Sequence, residues 1–184
     1  MKKVNVFLAD GFEEIEALTV VDMLRRAKIF VSTVSITGNE VVHGAHGIDV
    51  IADELFEKAD FSESDMLVLP GGLPGTWNLR DHRGLRQLLN EFYKEGRYVA
   101  AICAAPVIFA GLGYLNGRKA ISHPSMQEKL AEAGAILTNQ TVVVEDNVIT
   151  SQGMGTAIDF SLTIISILEN KELADSLAAA IVYV

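Results

Sequence analysis

The sequence has one cysteine, four prolines and one tryptophan in 184 residues, and these scarcities narrow what the chain can be. A single cysteine, Cys103, closes no internal disulfide, which sets aside a disulfide-stapled secreted scaffold. A free thiol suits a reducing compartment, so the expected location is the cytoplasm. Basic residues are also short: 15 Lys and Arg face 24 Asp and Glu, a formal net charge of −9, and no Lys/Arg cluster is present. Without that electrostatic footprint for a phosphate backbone, direct nucleic-acid binding is not expected. Lys2 and Lys3 precede only a short apolar run, interrupted by Asp10, Glu13 and Glu14, so no secretory leader is read. The uncharged stretch Tyr98 to Leu115 approaches the length of a membrane span, but Pro106, Gly111 and Gly113 break it. It reads as a strand feeding a short buried helix, and no membrane partner is expected.

What is present fits one core. Hydrophobic residues make up 49% and charged residues 21% of the chain, and the length suits a single domain over 1–184. Strand-like runs at Val4 to Leu8, Phe30 to Ile36, Ile48 to Ala52, Met66 to Leu69 and Tyr98 to Ile102 alternate with helical patterns. Val142 to Val144 and Val148 to Thr150 flank Glu145-Asp146-Asn147 and predict a hairpin. Ala17, Val20, Val21 and Leu24 repeat at helical spacing, as do Leu85, Leu88, Leu89 and Phe92. Phe160, Ile164, Ile165 and Leu168 form a third stripe, and Lys171 to Ile181 is a further helical segment. Strands alternating with helices imply crossover connections. The expected fold is therefore α/β, a doubly wound, mostly parallel sheet with helices on both faces, as in a flavodoxin-like sandwich.

In such sheets ligands bind at the carboxyl ends of strands, which singles out three loops. Cys103 follows an apolar strand and precedes Ala104, Ala105 and Pro106, a residue well placed at a helix start. A residue between strand end and helix start sits on a sharp turn, a nucleophile elbow, where backbone N–H groups and the helix dipole favour a thiolate. A buried structural cysteine is the alternative, since free Cys is among the most buried residue types. The second loop, Pro70-Gly71-Gly72-Leu73-Pro74-Gly75, lets backbone N–H groups approach a substrate oxygen, or is an ordinary tight turn. No Gly-Lys-Ser/Thr follows it, so it is not a phosphate-binding P-loop. The third, Asp10 to Glu16, packs four carboxylates into seven residues. They suit a helix start, or one of them is turned inward and kept protonated by burial. Extending the stripe of Ala17 backwards puts Glu13 nearer the core face than Glu16, and an irregular first turn would break that extension. His123 could serve the cysteine as a base or be structural. His43, His46 and His82 have no metal-ligand spacing, and no metal is expected.

Taken together these residues resemble the ThiJ/PfpI superfamily, and specifically its Parkinson-associated deglycase branch with the bacterial YajL-like proteins. The resemblance runs over essentially the whole chain. It rests on Gly11-Phe12-Glu13-Glu14-Ile15-Glu16, Val21-Asp22 with Arg25-Arg26-Ala27, Leu69-Pro70-Gly71-Gly72, Ala100-Ala101-Ile102-Cys103-Ala104-Ala105-Pro106, His123-Pro124 and Thr150-Ser151-Gln152-Gly153-Met154-Gly155-Thr156. The resemblance implies that Cys103 is the nucleophile and that Glu16 is the protonated carboxyl beside its sulfur. It places the N–H groups of Gly72 and Ala104, next to Gly71, toward a bound oxygen, and His123 near the thiol. It also implies a homodimer with Ala17 to Arg26 in the contact. Gln152 and Met154 stand where some relatives carry arginine and proline.

The implied activity is cofactor-independent glyoxalase or deglycase chemistry on methylglyoxal, glyoxal or early glycation adducts of proteins. A redox sensor or chaperone whose cysteine oxidises to sulfinic acid is the alternative. Amidotransferase or peptidase chemistry with a Cys-His-acid triad is a third reading.

Overall fold

The computed structural model describes residues 1–183. In chain order its elements are β1 (Lys3–Leu8), α1 (Glu14–Arg26), β2 (Phe30–Ser35), β3 (Val41–His43), β4 (Asp49–Ile51), β5 (Glu54–Leu55) and β6 (Met66–Leu69). There follow α2 (Gly75–Asp81), α3 (Arg83–Glu95), β7 (Tyr98–Ile102), α4 (Pro106–Gly111), β8 (Lys119–Ala120) and α5 (Gln127–Glu132). The chain continues through β9 (Ile136–Leu137), β10 (Val142–Glu145), β11 (Val148–Ser151), α6 (Ala157–Leu168) and α7 (Lys171–Ala180).

Seven strands form one sheet in the order β10-β11-β7-β6-β1-β2-β5. All neighbours are parallel except β10 and β11, the predicted hairpin. Helices cover both faces. α1 packs on α6 and α6 on α7, while α2 and α3 pack together against the central strands. Strands covered on both faces must be apolar throughout: β6 is buried at all four positions, and Val4, Val6, Phe7 and Leu8 of β1 are fully buried. The stripes read from the sequence are the buried faces of α1, α3 and α6. The side chain of His82 caps α3, accepting from Leu85 N–H at 3.0 Å, and Gly96 ends it in the left-handed region at φ 74°.

The order departs from the expected strand set at one place. Ile48 to Ala52 does not join the sheet; its middle, β4, pairs antiparallel with β3 in a separate ribbon. The edge position beside β2 belongs instead to β5, two residues long. Asp49 and Ile51 are exposed on the ribbon, so the segment lacks the two buried faces an interior strand needs. Tyr98 to Leu115 divides into β7 and the six-residue α4 as expected. Among the described residues no helix is long and apolar enough to cross a membrane.

Chain order fixes where a site can form. From β1 the chain steps outward to β2, then returns to place β6 on the opposite side of β1. The strand order reverses between β1 and β6, and crevices open at the carboxyl ends of strands flanking such a reversal. The segments that follow β1, β6 and β7 carry Glu16, in the first turn of α1, then Gly71-Gly72 and Cys103.

Candidate active site

Cys103 leaves β7 with φ at +65°, a left-handed conformation that costs a side-chain-bearing residue roughly 1–2 kcal/mol. Bonds on both sides pin it there. Its N–H donates to Ser151 O at 3.0 Å and its carbonyl accepts from His123 N–H at 2.8 Å. Ala105 N–H closes the turn on Ile102 O at 3.1 Å, and Pro106 opens α4. The expected elbow is present. Cys103 is buried, with 9% of the residue exposed.

Glu16 reaches this sulfur from α1. The helix begins at Glu14, with Glu13 still extended at ψ 116°, so the first turn is irregular and backward extension of the stripe fails. Glu13, Glu14 and Glu16 are all buried, and Glu16 is completely so. Its Oε2 accepts Gly71 N–H at 2.8 Å. A Cβ on Gly71 would lie 2.7 Å from both Cys103 Cβ and Glu16 Oε2, so only glycine leaves room for acid and thiol to meet. Gly72, at φ 90°, would drive a Cβ into Glu13 N and Gly11 O.

Burial pushes the Glu16 carboxyl up to about 7, against smaller lowering effects from the Cys103 thiol and Gly71 N–H, with the charge of Glu13 adding to the rise. Its Oε1 is buried with no nitrogen or oxygen partner among the described residues, and the thiol is the one group that meets this carboxyl besides Gly71. Cys103 is moved the opposite way from the expected one. Burial, the negative charge of Glu16 and the hydrogen bond with it raise the thiol to about 12, while the N–H groups of Ala104 and Gly72 pull it down. The six-residue α4 is too short a dipole to overturn burial. The two N–H groups picked out for a substrate oxygen therefore face the sulfur itself. Acid and thiol act as one titrating pair, with the first ionisation near 7 and the second made costly by the charge already present.

His123 is tied to the elbow by its backbone, but its ring Nδ1 is engaged with Ser125 Oγ at 2.8 Å. No hydrogen bond joins the ring to the thiol among the described residues. His46, set aside on spacing, lies beside the acidic loop instead, with Nδ1 3.0 Å from Glu14 and 3.5 Å from Glu13. The loop between β3 and β4 brings it there, through a bridge between Phe12 and Gly44. A separation of more than thirty residues leaves no local signal for this. A cavity of about 610 Å³ is lined by Met1, Arg25, Lys28, Phe30 and Asp53 near the start of β2, and Cys103, Glu16, Gly71, Gly72 and His123 do not border it.

The sequence pattern of the DJ-1/PfpI family matches residues 2–167. The chain belongs to this family. The resemblance to the ThiJ/PfpI superfamily drawn from the motifs is thereby borne out. Among curated DJ-1/PfpI relatives, Protein DJ-1 homolog A of Arabidopsis thaliana is 37% identical over 179 residues, covering 97% of this chain and 46% of that protein. The chain thus spans about half the length of that relative. The protein named glutathione-independent glyoxalase DJ-1 in Schizosaccharomyces pombe is 32% identical over 180 residues, 94% of each chain. Among solved structures, oxidized Toxoplasma gondii DJ-1 superposes with a TM-score of 0.94 at 35% identity, covering 100% of this chain and 99% of that one.

Proposed function

We propose that this DJ-1/PfpI protein is a cofactor-independent glyoxalase, acting on methylglyoxal or glyoxal and on early glycation adducts that release them. The observation that carries the proposal is the pairing of an elbow thiol with a fully buried carboxyl whose ionisation lies near 7. A base poised near neutral pH is what proton transfer at carbon needs. The named activity of the Schizosaccharomyces pombe relative supports the same reading.

A resting thiolate is not required. As Cys103 Sγ bonds to the aldehyde carbon, the thiol proton passes to ionised Glu16, and the aldehyde oxygen takes it to give a hemithioacetal. Glu16 then removes the C1 proton and returns it at C2 while the C1 hydroxyl proton passes to the C2 oxygen, so C1 is oxidised as C2 is reduced and a lactoyl thioester forms with no net change of oxidation state. Water cleaves the thioester, releasing lactate and restoring the thiol. The N–H groups of Gly72 and Ala104 stabilise negative charge on the sulfur or oxygen. His123, on the neighbouring loop, orders the elbow through its N–H. A single free thiol is consistent with action in the reducing cytoplasm, and a homodimer through α1 follows by family analogy.

Lactate formation from methylglyoxal by the native protein, Cys103→Ala and Glu16→Gln tests this. Turnover should fall to background without the sulfur and by about 100-fold or more with Gln. A native protein that forms no lactate rejects the proposal.

One observation favours a second reading, a redox sensor. Glu16 Oε1 lacks a partner, and a protonated carboxyl there could donate to an oxygen carried on sulfur. Two successive peroxide molecules would each lose water and leave a sulfinate; intact mass after peroxide would show a stop at two added oxygens. The Cys-His-acid hydrolase reading has less support, because His123 Nδ1 is engaged with Ser125.

A further inference from the structure

Glu13 is the buried acid of the loop after β1 that the proposed chemistry does not use. Its side chain is 9% exposed, and its N–H donates to Gly71 O at 3.0 Å. Gly71 is also the residue whose N–H holds Glu16, and whose other side abuts Cys103 Cβ. Glu13 therefore stands across a single glycine from the reacting pair. Its charge is poorly answered. Among the described residues its one ion-pair partner is His46, at 3.5 Å, and that imidazole lies closer to Glu14. Glu14 is further met by the N–H groups of His46 at 2.7 Å and Ile48 at 3.4 Å. One imidazole cannot neutralise two carboxylates, so net negative charge remains on this loop, whose backbone is bonded to Gly71. That charge is felt at Glu16, where Glu13 contributes to the rise.

We propose that Glu13 is a specificity-determining residue whose unneutralised carboxylate turns anionic substrates away from Cys103 and leaves the site to uncharged aldehydes. The substrate class rests on the dicarbonyl reading and sharpens it. Glyoxylate must bring a carboxylate beside Glu13 and Glu16, where burial leaves repulsion weakly screened. Methylglyoxal carries no charge.

The test is alkylation of Cys103, the single cysteine, with iodoacetamide and iodoacetate at pH 6.5, followed by intact mass. The two reagents are close in size and differ in charge; in each the sulfur displaces iodide and the thiol proton is lost. Relative to free cysteine, the native protein should disfavour iodoacetate. Glu13→Gln should raise the iodoacetate to iodoacetamide rate ratio by about tenfold. His46→Ala, at an exposed position, should lower it, and this variant keeps the test open if the buried substitution fails to fold. In steady state, glyoxylate adds to the thiol but isomerises to no new product, so it acts as an inhibitor of methylglyoxal turnover, and Glu13→Gln should lower its inhibition constant by a similar factor. Ratios that stay within about twofold of native in both folded variants overturn the proposal. Alkylation needs no turnover: a moved ratio without lactate formation removes the dicarbonyl reading alone, and lactate formation with an unmoved ratio removes the role of Glu13 alone.

Discussion

Glu14 and Glu16 lie two residues apart at the start of one helix, both buried, and their surroundings move them in opposite directions. Around Glu14 burial pushes the carboxyl up, but hydrogen bonds from the His46 ring, its own backbone and the N–H groups of His46 and Ile48 outweigh it, and the net displacement is downward. Glu16 has one N–H, from Gly71, and a thiol, so burial wins and the carboxyl rises to about 7. Donor number and depth of burial together separate the two carboxyls, since Glu16 lies deeper in the protein and has fewer donors. A helix N-terminus that welcomes negative charge is common to both and does not distinguish them.

Exchanging the two roles by mutation should break this contrast, and the largest effect belongs to Glu16. Glu16→Gln should lower methylglyoxal turnover by about 100-fold or more and abolish the acidic limb of the pH profile. In the native protein kcat/KM should rise with pH through about 7, as Glu16 loses its proton, which a methylglyoxal pH series reads directly.

Stability should show the next effect. The unfolded Glu16 titrates near its ordinary 4.5 and the folded one near 7, so the folded state holds the extra proton between those values. Unfolding free energy contributed by this group must then fall as pH rises from about 4.5 to about 7, by on the order of 3 kcal/mol. Urea unfolding at pH 4.5 and pH 8 measures it, and Glu16→Gln should flatten the slope and be the more stable protein at pH 8.

Glu14→Ala should do the reverse, leaving the chemistry and weakening the fold. The part-buried hydrogen bonds from the His46 and Ile48 N–H groups to a charged acceptor are lost, at about 1–3 kcal/mol, with kcat for methylglyoxal within a few-fold of native. His46→Ala should have the smallest effect. The backbone N–H to Glu14 survives, so the melting temperature should hardly change, while carbon NMR of the Glu14 carboxyl should show its titration displaced upward.

The sequence carries the fold further than it carries the site. Val4 to Leu8, Met66 to Leu69 and Tyr98 to Ile102 are legible because strands covered on both faces must be apolar, and the stripes of α1, α3 and α6 because each has one buried side. β5 is invisible at two residues, and β4 deceives because β-branched residues form an exposed ribbon as readily as a sheet strand. Cys103 is marked by an apolar strand running into small residues and Pro106. Glu16 is not marked by periodicity, because Glu13 is extended and the helical frame starts after it. The direction in which the thiol moves is not legible at all. It depends on how deeply the turn is sunk and on an acid 87 positions away in the chain, neither of which a motif encodes.

The dihedral at Cys103 has a further implication. Glycine would occupy that corner without penalty, so Cys103→Gly would relieve torsional cost of roughly 1 kcal/mol while deleting the chemistry. A side chain held at a corner that would rest more easily without one is the backbone signature that the working sulfur proposed above would leave.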